Sequence, residues 1–331
     1  MGKGFIFVDV SYLVFYRFFA LKTWFGFAHK EIKIKDDEKW LENTLFMDKF
    51  EKTLLDTILK IAKKQKIDST NIIFAYDCHH KDIWRHKIMQ EYKSVLQNRD
   101  NLNTDYKGLR AAAHEKQNFT EFAIFDIVKK KFLPKFIKEH NNKILKHKEA
   151  EADDCIAVGV HYLREIEKDN APIWIIASDT DYLQICDAKT KLIDLKKKII
   201  NEKHLDDKNI TKTEYLLNKI LLGDVSDNIF ACQFLPEMLE KLKEDYNIVI
   251  RKNKKNTYKV TNTILKKCVE NEAFYKKLKE FMDLDKNNTE LCEEFDLPYL
   301  NKNQFVYNQK MIDFNYIPDT INKKVCVLMK K

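Results

Sequence analysis

This 331-residue sequence predicts an α/β fold: a mostly parallel, twisted sheet covered by helices on both faces. Three observations lead there. Short apolar runs such as "GFIFVDV" (4–10) and "NIIFAYD" (71–77) are continuous rather than alternating, as in strands buried on both faces. Between them lie stretches with apolar residues three and four apart, the period of a helix with one buried side. Only 6 Gly and 5 Pro are present, so turns are sparse and helices long.

Taken in order, "GFIFVDV" is the first strand and ends in an acid. "LFMDKFEKTLLDTILKIAKKQK" (45–66) reads as a helix with lysines at its end, where the helix dipole favours cations. "NIIFAYD" is the second strand, again closed by Asp. Residues 80–117 are strongly charged, with aromatics interleaved and little apolar periodicity. "FTEFAIFDIVKKKFLPKFIKEH" (119–140) reads as a helix kinked or interrupted near Pro134. "NKILKH" (142–147) is a short third strand, followed by a helix from about 151 to 167. "APIWIIASDTDYLQI" (171–185) is a strand with Asp just past its end, and "TKLIDLKKKII" (190–200) gives one or two edge strands. From about residue 204 onward the pattern is mostly helical. No internal repeat is present, and "IRKNKKNTYKV" (250–260) reads as a basic loop.

Composition narrows the class. Hydrophobic content of 44% supports a sizeable core. No run of about 18 apolar residues occurs, so no membrane span is expected. "MGKGFIFVDV" enters a strand directly and has Ile at position 6, which fits neither a signal peptide nor a myristoylation site. Seven dispersed Cys without a CxxC pair point to reduced thiols in a cytoplasmic setting, with no zinc ribbon and no disulfide frame. The net charge of +8 is by itself weak evidence of a polyanionic partner.

The chemistry lies in the acids. "KEAEADDCIA" (148–157) places Glu149, Glu151, Asp153 and Asp154 within six positions of a lysine-rich chain. Like charges so close repel, and a helix N-terminus offsets only about 0.3–1 kcal/mol of that. In parallel sheets, sites form outside the carboxyl ends of the strands. Asp9, Asp77 and the pair Asp179 and Asp181 are delivered there, and the 151–154 cluster opens a helix after another strand. "GDVSDN" (223–228) adds Asp224 and Asp227 on a turn. Hard divalent cations with oxygen ligands, Mg²⁺ or Mn²⁺, would hold such a set together. Setting aside Asp9, Asp77, Glu151, Asp153, Asp154, Asp179, Asp181, Asp224, Asp227 leaves 42 of 51 acids against 59 bases, a charge of +17 outside them. An acidic pocket in a basic surround suits phosphodiester chemistry.

Each element also has a plainer reading. Asp at a strand end is a common turn former, "SDTD" serves as an N-cap, and "GDVSDN" forms an ordinary turn. "SDTD" also meets the DxD pattern of metal-dependent glycosyltransferases, which would leave Glu151, Asp153 and Asp154 without a role. The joint pattern of five acidic spots in this order is what these readings do not explain.

Five blocks, "FVDVSYLVFYRFFA" (7–20), "FAYDCHHKDIWRHKIMQEYK" (74–93), "EAEADDCIAV" (149–158), "IASDTDYLQI" (176–185) and "GDVSDNI" (223–229), resemble the 5′-nuclease superfamily of flap endonucleases and 5′→3′ exonucleases, in family order. "DIWRHK" (82–87) and "KMIDFNYIPDTI" (310–321) are similar to the T-even-phage ribonuclease H subgroup. The resemblance implies a PIN-like 5′-nuclease fold. A catalytic domain would span 1–200, with 80–117 as a helical arch or bridge. A helical DNA-binding domain with a degenerate helix-turn-helix-like region would span 201–331. It implies two Mg²⁺ (or Mn²⁺): Asp9, Asp77, Glu151, Asp153 and Asp154 around the first, Asp179, Asp181, Asp224 and Asp227 serving the second. Glu149 is read as a neighbour of the ligands.

By the family's spacing Arg85 and Lys93 contact the scissile phosphate, a task that suits a forked guanidinium and a compact ammonium. Tyr92 would stack on a base, and Arg17, Arg99, Lys107 and Arg110 would contact the backbone. The substrates implied are DNA and RNA–DNA hybrids with flaps, 5′ ends or nicks, in replication or repair, with removal of RNA primers as the ribonuclease H-type task. A monomer is implied, with a single-strand-binding protein or sliding clamp as the partner class and no membrane. One departure stands out. The family's glycine-rich turn after "GDVSDNI", which binds duplex and potassium, is replaced by "FACQFLPEMLEKL" (230–242), so no potassium site is carried over. A catalytically inactive branched-DNA-binding protein and a PIN-type endoribonuclease are the alternatives on the same scaffold.

Overall fold

The structure is a computed structural model of the chain. It describes residues 4–29, 39–93, 106–107, 122–168, 170–207, 209–231, 244, 271–273, 276 and 302–330. The chain divides into two compact units. The first comprises Met1–Trp84, His114–Lys212 and Ile317–Lys331; the second comprises Arg85–Ala113 and Thr213–Tyr316. This grouping differs from a single cut at residue 200. The charged segment after Trp84 clusters with the later helical part, and the last fifteen residues return to the first unit.

The first unit holds a five-stranded sheet of β1 (Phe5–Asp9), β2 (Ile72–Ala75), β3 (Lys143–Leu145), β4 (Ile173–Ile176) and β5 (Thr190–Ile193), in the order β3-β2-β1-β4-β5. Every pairing is parallel, with Ile6 opposite Ile72 and Trp174, and Val8 opposite Phe74 and Ile176. The central strands are apolar on both faces: Ile6, Phe7, Val8, Phe74 and Ile175 are fully buried. The edge expectation for 190–200 resolves into β5 and one antiparallel bridge from Ile193 to Ile199. Strand order reverses between β1 and β4, so the carboxyl ends of these two strands flank the crevice where α/β sheets place their sites.

The helices of this unit are α1 (Val10–Ala28), α2 (Thr44–Thr53), α3 (Asp56–Lys64), α5 (Ala123–Ile127), α6 (Leu133–His140), α7 (Ala152–His161) and α10 (Asp319–Lys330); α4, α8 and α9 belong to the second unit. The helix expected over 45–66 is two. Thr53 Oγ1 donates to the Lys49 carbonyl at 2.8 Å, a back-bond of the kind that bends helices, and the chain turns at Leu54 and Leu55. The Pro134 kink takes the form of a π-helical turn over Val128–Phe132 between α5 and α6. Widening the turn accommodates a residue that lacks an N–H and crowds the preceding carbonyl. Phe18, Phe25, Trp40 and Phe46 interlock between α1 and α2, with ring centroids 4.8–6.2 Å apart. Helix α10 buries Ile321, Val325 and Met329, one stripe at four-residue spacing, against α7 and β3. Among the described residues no helix is long and apolar enough to cross a membrane.

The second unit contains α4 (Arg85–Lys93), α8 (Lys212–Leu222, from its second residue) and α9 (Lys302–Ile312). The fully buried Asn308 carboxamide donates to the carbonyls of Ile220 (2.8 Å) and Phe230 (2.7 Å), fixing α9 on α8 and on the turn that follows it. The basic stretch 250–260 lies outside the described residues, as does most of 230–242.

Gly159 on α7 sets how closely the helix carrying the acidic cluster approaches the sheet. A Cβ there would stand 2.6 Å from Phe7 Cε1 and 3.0 Å from Leu145 Cδ1, both fully buried. Gly159→Ala is expected to destabilise the protein by about 1–3 kcal/mol through overpacking, despite the better helix propensity of alanine. Equilibrium urea unfolding measures this; unchanged or higher stability would show that α7 is free to shift.

Candidate active site

Three strand ends and one helix start bring the first unit's acids to one place. Asp9 closes β1 and caps α1: its Oδ1 accepts from Tyr12 N at 3.0 Å. Its Oδ2 accepts from the hydroxyl of Tyr182 at 3.1 Å. Asp77 follows β2; its carboxylate accepts from the Ser11 hydroxyl and from the backbone N–H of Ala152 at 2.8 Å. That second bond comes from the first turn of α7, so the helix N-terminus faces a carboxylate from the neighbouring strand.

Helix α7 opens at Glu151. Asp154 Oδ2 accepts from Glu151 N at 3.0 Å and from the Trp84 indole at 2.9 Å, and Asp154 N donates to Asp153 Oδ1 at 2.7 Å. Asp154 is fully buried and Glu151 nearly so. Glu151, Asp153 and Asp154 each offer an oxygen, and the three lie within 4.8 Å of one another. Oxygen donors so close fit a hard divalent cation. Glu149 stands outside this trio; its carbonyl accepts from Trp84 N at 2.9 Å. Asp179 follows β4 and caps a short 3₁₀ turn over Thr180–Ile185, accepting from Asp181 N at 2.9 Å.

The electrostatics record the crowding. Burial, then the Asp77 charge, and further the Asp179 charge push the Asp9 carboxyl up to about 7, against hydrogen bonds from Tyr12 and Tyr182. Burial pushes the Tyr182 phenol well above its ordinary range, helped by Asp9, Asp153, Asp179 and Asp77. Burial, then Glu151 and Asp77, raise the Cys78 thiol to about 12. Cys155 and Cys186 are buried thiols, Cys78 and Cys326 half-buried.

Asp224 and Asp227 belong to the second unit. Gly223 has φ of +69°, and a Cβ there would meet the Ile229 carbonyl oxygen at 2.4 Å. The turn it begins closes through reciprocal bonds between Asp224 and Ile229 (2.9 and 2.8 Å). Asp224 pairs with Lys219 at 2.9 Å and accepts from Ser226 N and Oγ. Burial would raise its carboxyl, but the Lys219 charge and these hydrogen bonds outweigh it and hold it at about 2. Asp227 is buried; its Oδ2 accepts from the Tyr106 hydroxyl at 3.2 Å and lies 3.7 Å from Lys107 Nζ.

The expected cations fare differently. Lys107, expected to touch nucleic acid, is 7% exposed and spends its charge on Asp227 and the Tyr106 ring. Arg85 is 2% exposed, and its Nε donates to the Met311 carbonyl at 2.8 Å, so it anchors α4 to α9. Arg17 is half-buried and donates to Thr57 Oγ1 at 3.3 Å, tying α1 to α3. Lys93 and Tyr92 end α4, and their side chains lie outside what the structure describes, as do Arg99 and Arg110.

Sequence reasoning passed over Ser11, Trp84 and Tyr182, which hold Asp77, Asp154 and Asp9 by hydrogen bonds. Ser11 and Tyr182 stand two residues and one residue from candidate ligands, a proximity that could have flagged them.

No curated protein matches the chain. Among solved structures, a bacteriophage T5 protein co-crystallised with metal ions is similar (13% identity, 99% of this chain and 98% of that one, TM-score 0.49). So are the T5 flap endonuclease in a pseudo-enzyme-product complex with DNA and metal ions (14%, 99% and 100%, 0.48) and the T5 5′-exonuclease with zinc (15%, 99% and 100%, 0.47). What decides membership is the family described as 5′-3′ exonuclease, N-terminal resolvase-like domain, which matches residues 4–213, more than half of the chain. With its acids gathered at the carboxyl ends of a parallel sheet, the chain belongs to the 5′–3′ exonuclease family and is a metal-dependent phosphodiesterase of the 5′-nuclease kind.

Proposed function

We propose that the protein removes RNA primers and 5′ flaps from DNA and digests duplexes from 5′ ends, during lagging-strand replication or repair in the cytoplasm, in the manner of the T-even-phage ribonuclease H subgroup. The carrying observation is geometric: Asp9 at the end of β1 is held by Tyr182, and Asp77 after β2 is held by the first turn of α7, which carries the Glu151, Asp153 and Asp154 group, all at the reversal point of the sheet. Two Mg²⁺ or Mn²⁺ are the proposed cofactors. Asp9, Asp77, Glu151, Asp153 and Asp154 would hold one, and Asp179 and Asp181, with Asp224 and Asp227, would serve the other. When bound, such ions make water a better nucleophile at neutral pH and stabilise the attacking and leaving oxygens of an in-line displacement.

The chain's own residues prepare that site. Tyr182 and Tyr12 aim the Asp9 carboxylate, and Ser11 with the α7 backbone aims Asp77. Trp84 fixes Asp154 while Glu151 and Asp153 remain grouped with it. Side chains held this way need no reorganisation as charge develops on the phosphorane. Lys93 is proposed to supply positive charge to the reacting phosphate; Arg85, buried on the Met311 carbonyl, is proposed to act by holding α4 in place. The substrates proposed are flaps, nicked duplexes and RNA–DNA hybrids, bound by a monomer.

Asp153→Ala or Asp179→Ala is expected to abolish cleavage of a 5′-labelled flap in Mg²⁺ while leaving affinity for the flap within about threefold, since binding rests on basic surface. Full cleavage by either variant refutes the assignment. A protein that binds flaps tightly yet cleaves none with Mg²⁺ or Mn²⁺ is the inactive branched-DNA binder instead.

The Asp9 carboxyl, near 7 when folded and near 3.9 in an unfolded chain, gives a pH signature. A raised carboxyl stabilises the fold below about pH 4, and that stability is lost as pH rises through 7. The melting temperature of metal-free protein is therefore expected to fall between pH 4 and 7, and Asp9→Asn is expected to flatten that fall. Mn²⁺ is expected to raise the melting temperature strongly at pH 8 and little at pH 5.5, because its ligands must be deprotonated. A metal effect independent of pH contradicts this.

For Lys93→Ala, single-turnover rates at saturating substrate are expected to drop by about 10²–10³, with little change in affinity, as for a group acting on developing charge. Weaker binding with an unchanged rate would make Lys93 a docking residue only.

A further inference from the structure

Beside the acidic site, within the same unit, is a cavity of about 870 Å³ with the opposite electrostatic character. Lys129, Lys130, Lys146, Lys148, Lys324 and His147 line it, and among the described residues Asp77 is the one carboxylate in its lining. Three parts of the fold supply these cations: the π turn between α5 and α6, the chain just past β3, and helix α10. The N-terminal turn of α10, which opens at Asp319, also borders the cavity through Thr320. Lys129 is positioned by the Tyr76 ring, its Nζ 5.3 Å from the centroid. Lys130 is paired with Asp126 at 2.8 Å, but that pair is exposed and worth little.

Five lysines and a histidine around one cavity make it a place where an anion is favoured. The volume is in the usual range for a small-ligand pocket, about 300–1,000 Å³. An internal phosphodiester brings one negative charge, whereas a terminal phosphomonoester carries about −1.5 to −2 near neutral pH and three acceptor oxygens. The monoester therefore gains more from such a cluster. Asp77 connects the two regions, since it lines the cavity and also belongs to the acidic group. A strand whose end sits among the lysines presents its next phosphodiester to the carboxylates.

We propose that this cavity binds the 5′-terminal phosphate of the nucleic-acid strand. The inference rests on the nuclease reading and adds to it: the enzyme senses the phosphorylation state of the end, and the sensing element includes α10, from the far end of the chain.

The test compares 5′-phosphorylated and 5′-hydroxyl oligonucleotides of one sequence by fluorescence anisotropy in metal-free buffer. The proteins are wild type, Lys146→Ala with Lys324→Ala, and Lys146→Arg with Lys324→Arg. Both lysines are exposed, so neither double variant threatens the core. Wild type is expected to prefer the phosphorylated end about tenfold, the scale of one charge-assisted hydrogen bond. The alanine variant is expected to lose the preference and the arginine variant to keep it. Equal binding of both ends by wild type, or a preference that survives in the alanine variant, overturns the proposal. Calorimetry with inorganic phosphate separates the sources: phosphate binding without any end preference assigns the cavity to free phosphate and overturns the strand-end reading. Flap cleavage in Mg²⁺ tests the nuclease reading separately. A wild type that cleaves flaps but does not discriminate between the two ends sinks this inference alone, and a wild type that discriminates but never cleaves sinks only the nuclease reading.

Discussion

Mutual repulsion of carboxylates at the carboxyl ends of parallel strands is the constraint around which the first unit is organised. Asp9, Asp77, Asp153 and Asp179 come from segments far apart in sequence, and the charges of Asp77 and Asp179 both push the Asp9 carboxyl up. Asp9 shows the outcome most clearly: it is the N-cap of a helix, a position that favours an anion, yet its carboxyl stands near 7. Burial and the Asp77 charge outweigh the helix dipole and two hydrogen bonds. A fold that merely tolerated acidic side chains would have let them turn to solvent.

The fold instead spends specific hydrogen bonds on keeping them in place. Backbone N–H groups at the start of α7 hold Asp77 and Asp154, and Tyr182 and Trp84 bring buried donors to Asp9 and Asp154. Gly159 lets α7 lie close enough on β1 and β3 for those bonds to form. Helix α10 presses on the same helix from the other side of the chain's length, so the last residues of the sequence support a cluster near its middle.

The second unit shows the contrasting electrostatic condition for the same residue type. Asp224 is held near 2 by Lys219 and Ser226, and Asp227 is matched by Lys107 and Tyr106. These carboxylates have protein cations as partners, whereas Asp9 faces other acids. A role for Asp224 and Asp227 at a metal therefore asks for exchange of those partners or for action through water. The lysine-lined cavity that also reaches Asp77 gives a third condition, a cluster of cations next to a cluster of acids.

Much of this was legible in the amino-acid order. Continuous apolar runs ending in Asp located β1, β2 and β4, because a strand buried on both faces leaves a signature that neighbours cannot mask. "EADD" located the acidic helix start, and "GDVSDN" located a turn that carries Asp224 and Asp227. What the sequence could not assign was the state of each cation. Arg85, Arg17 and Lys107 read as nucleic-acid contacts, and the fold gives each an intramolecular partner in Met311, Thr57 and Asp227. Nor could it show what Ser11, Trp84 and Tyr182 hold, since their partners lie 66 to 173 positions away. Local order fixes which residues are apolar, charged or turn-forming. Which charge meets which partner is decided only when distant segments are packed together, since Coulomb and hydrogen-bond energies depend on separation in space and on exclusion of water.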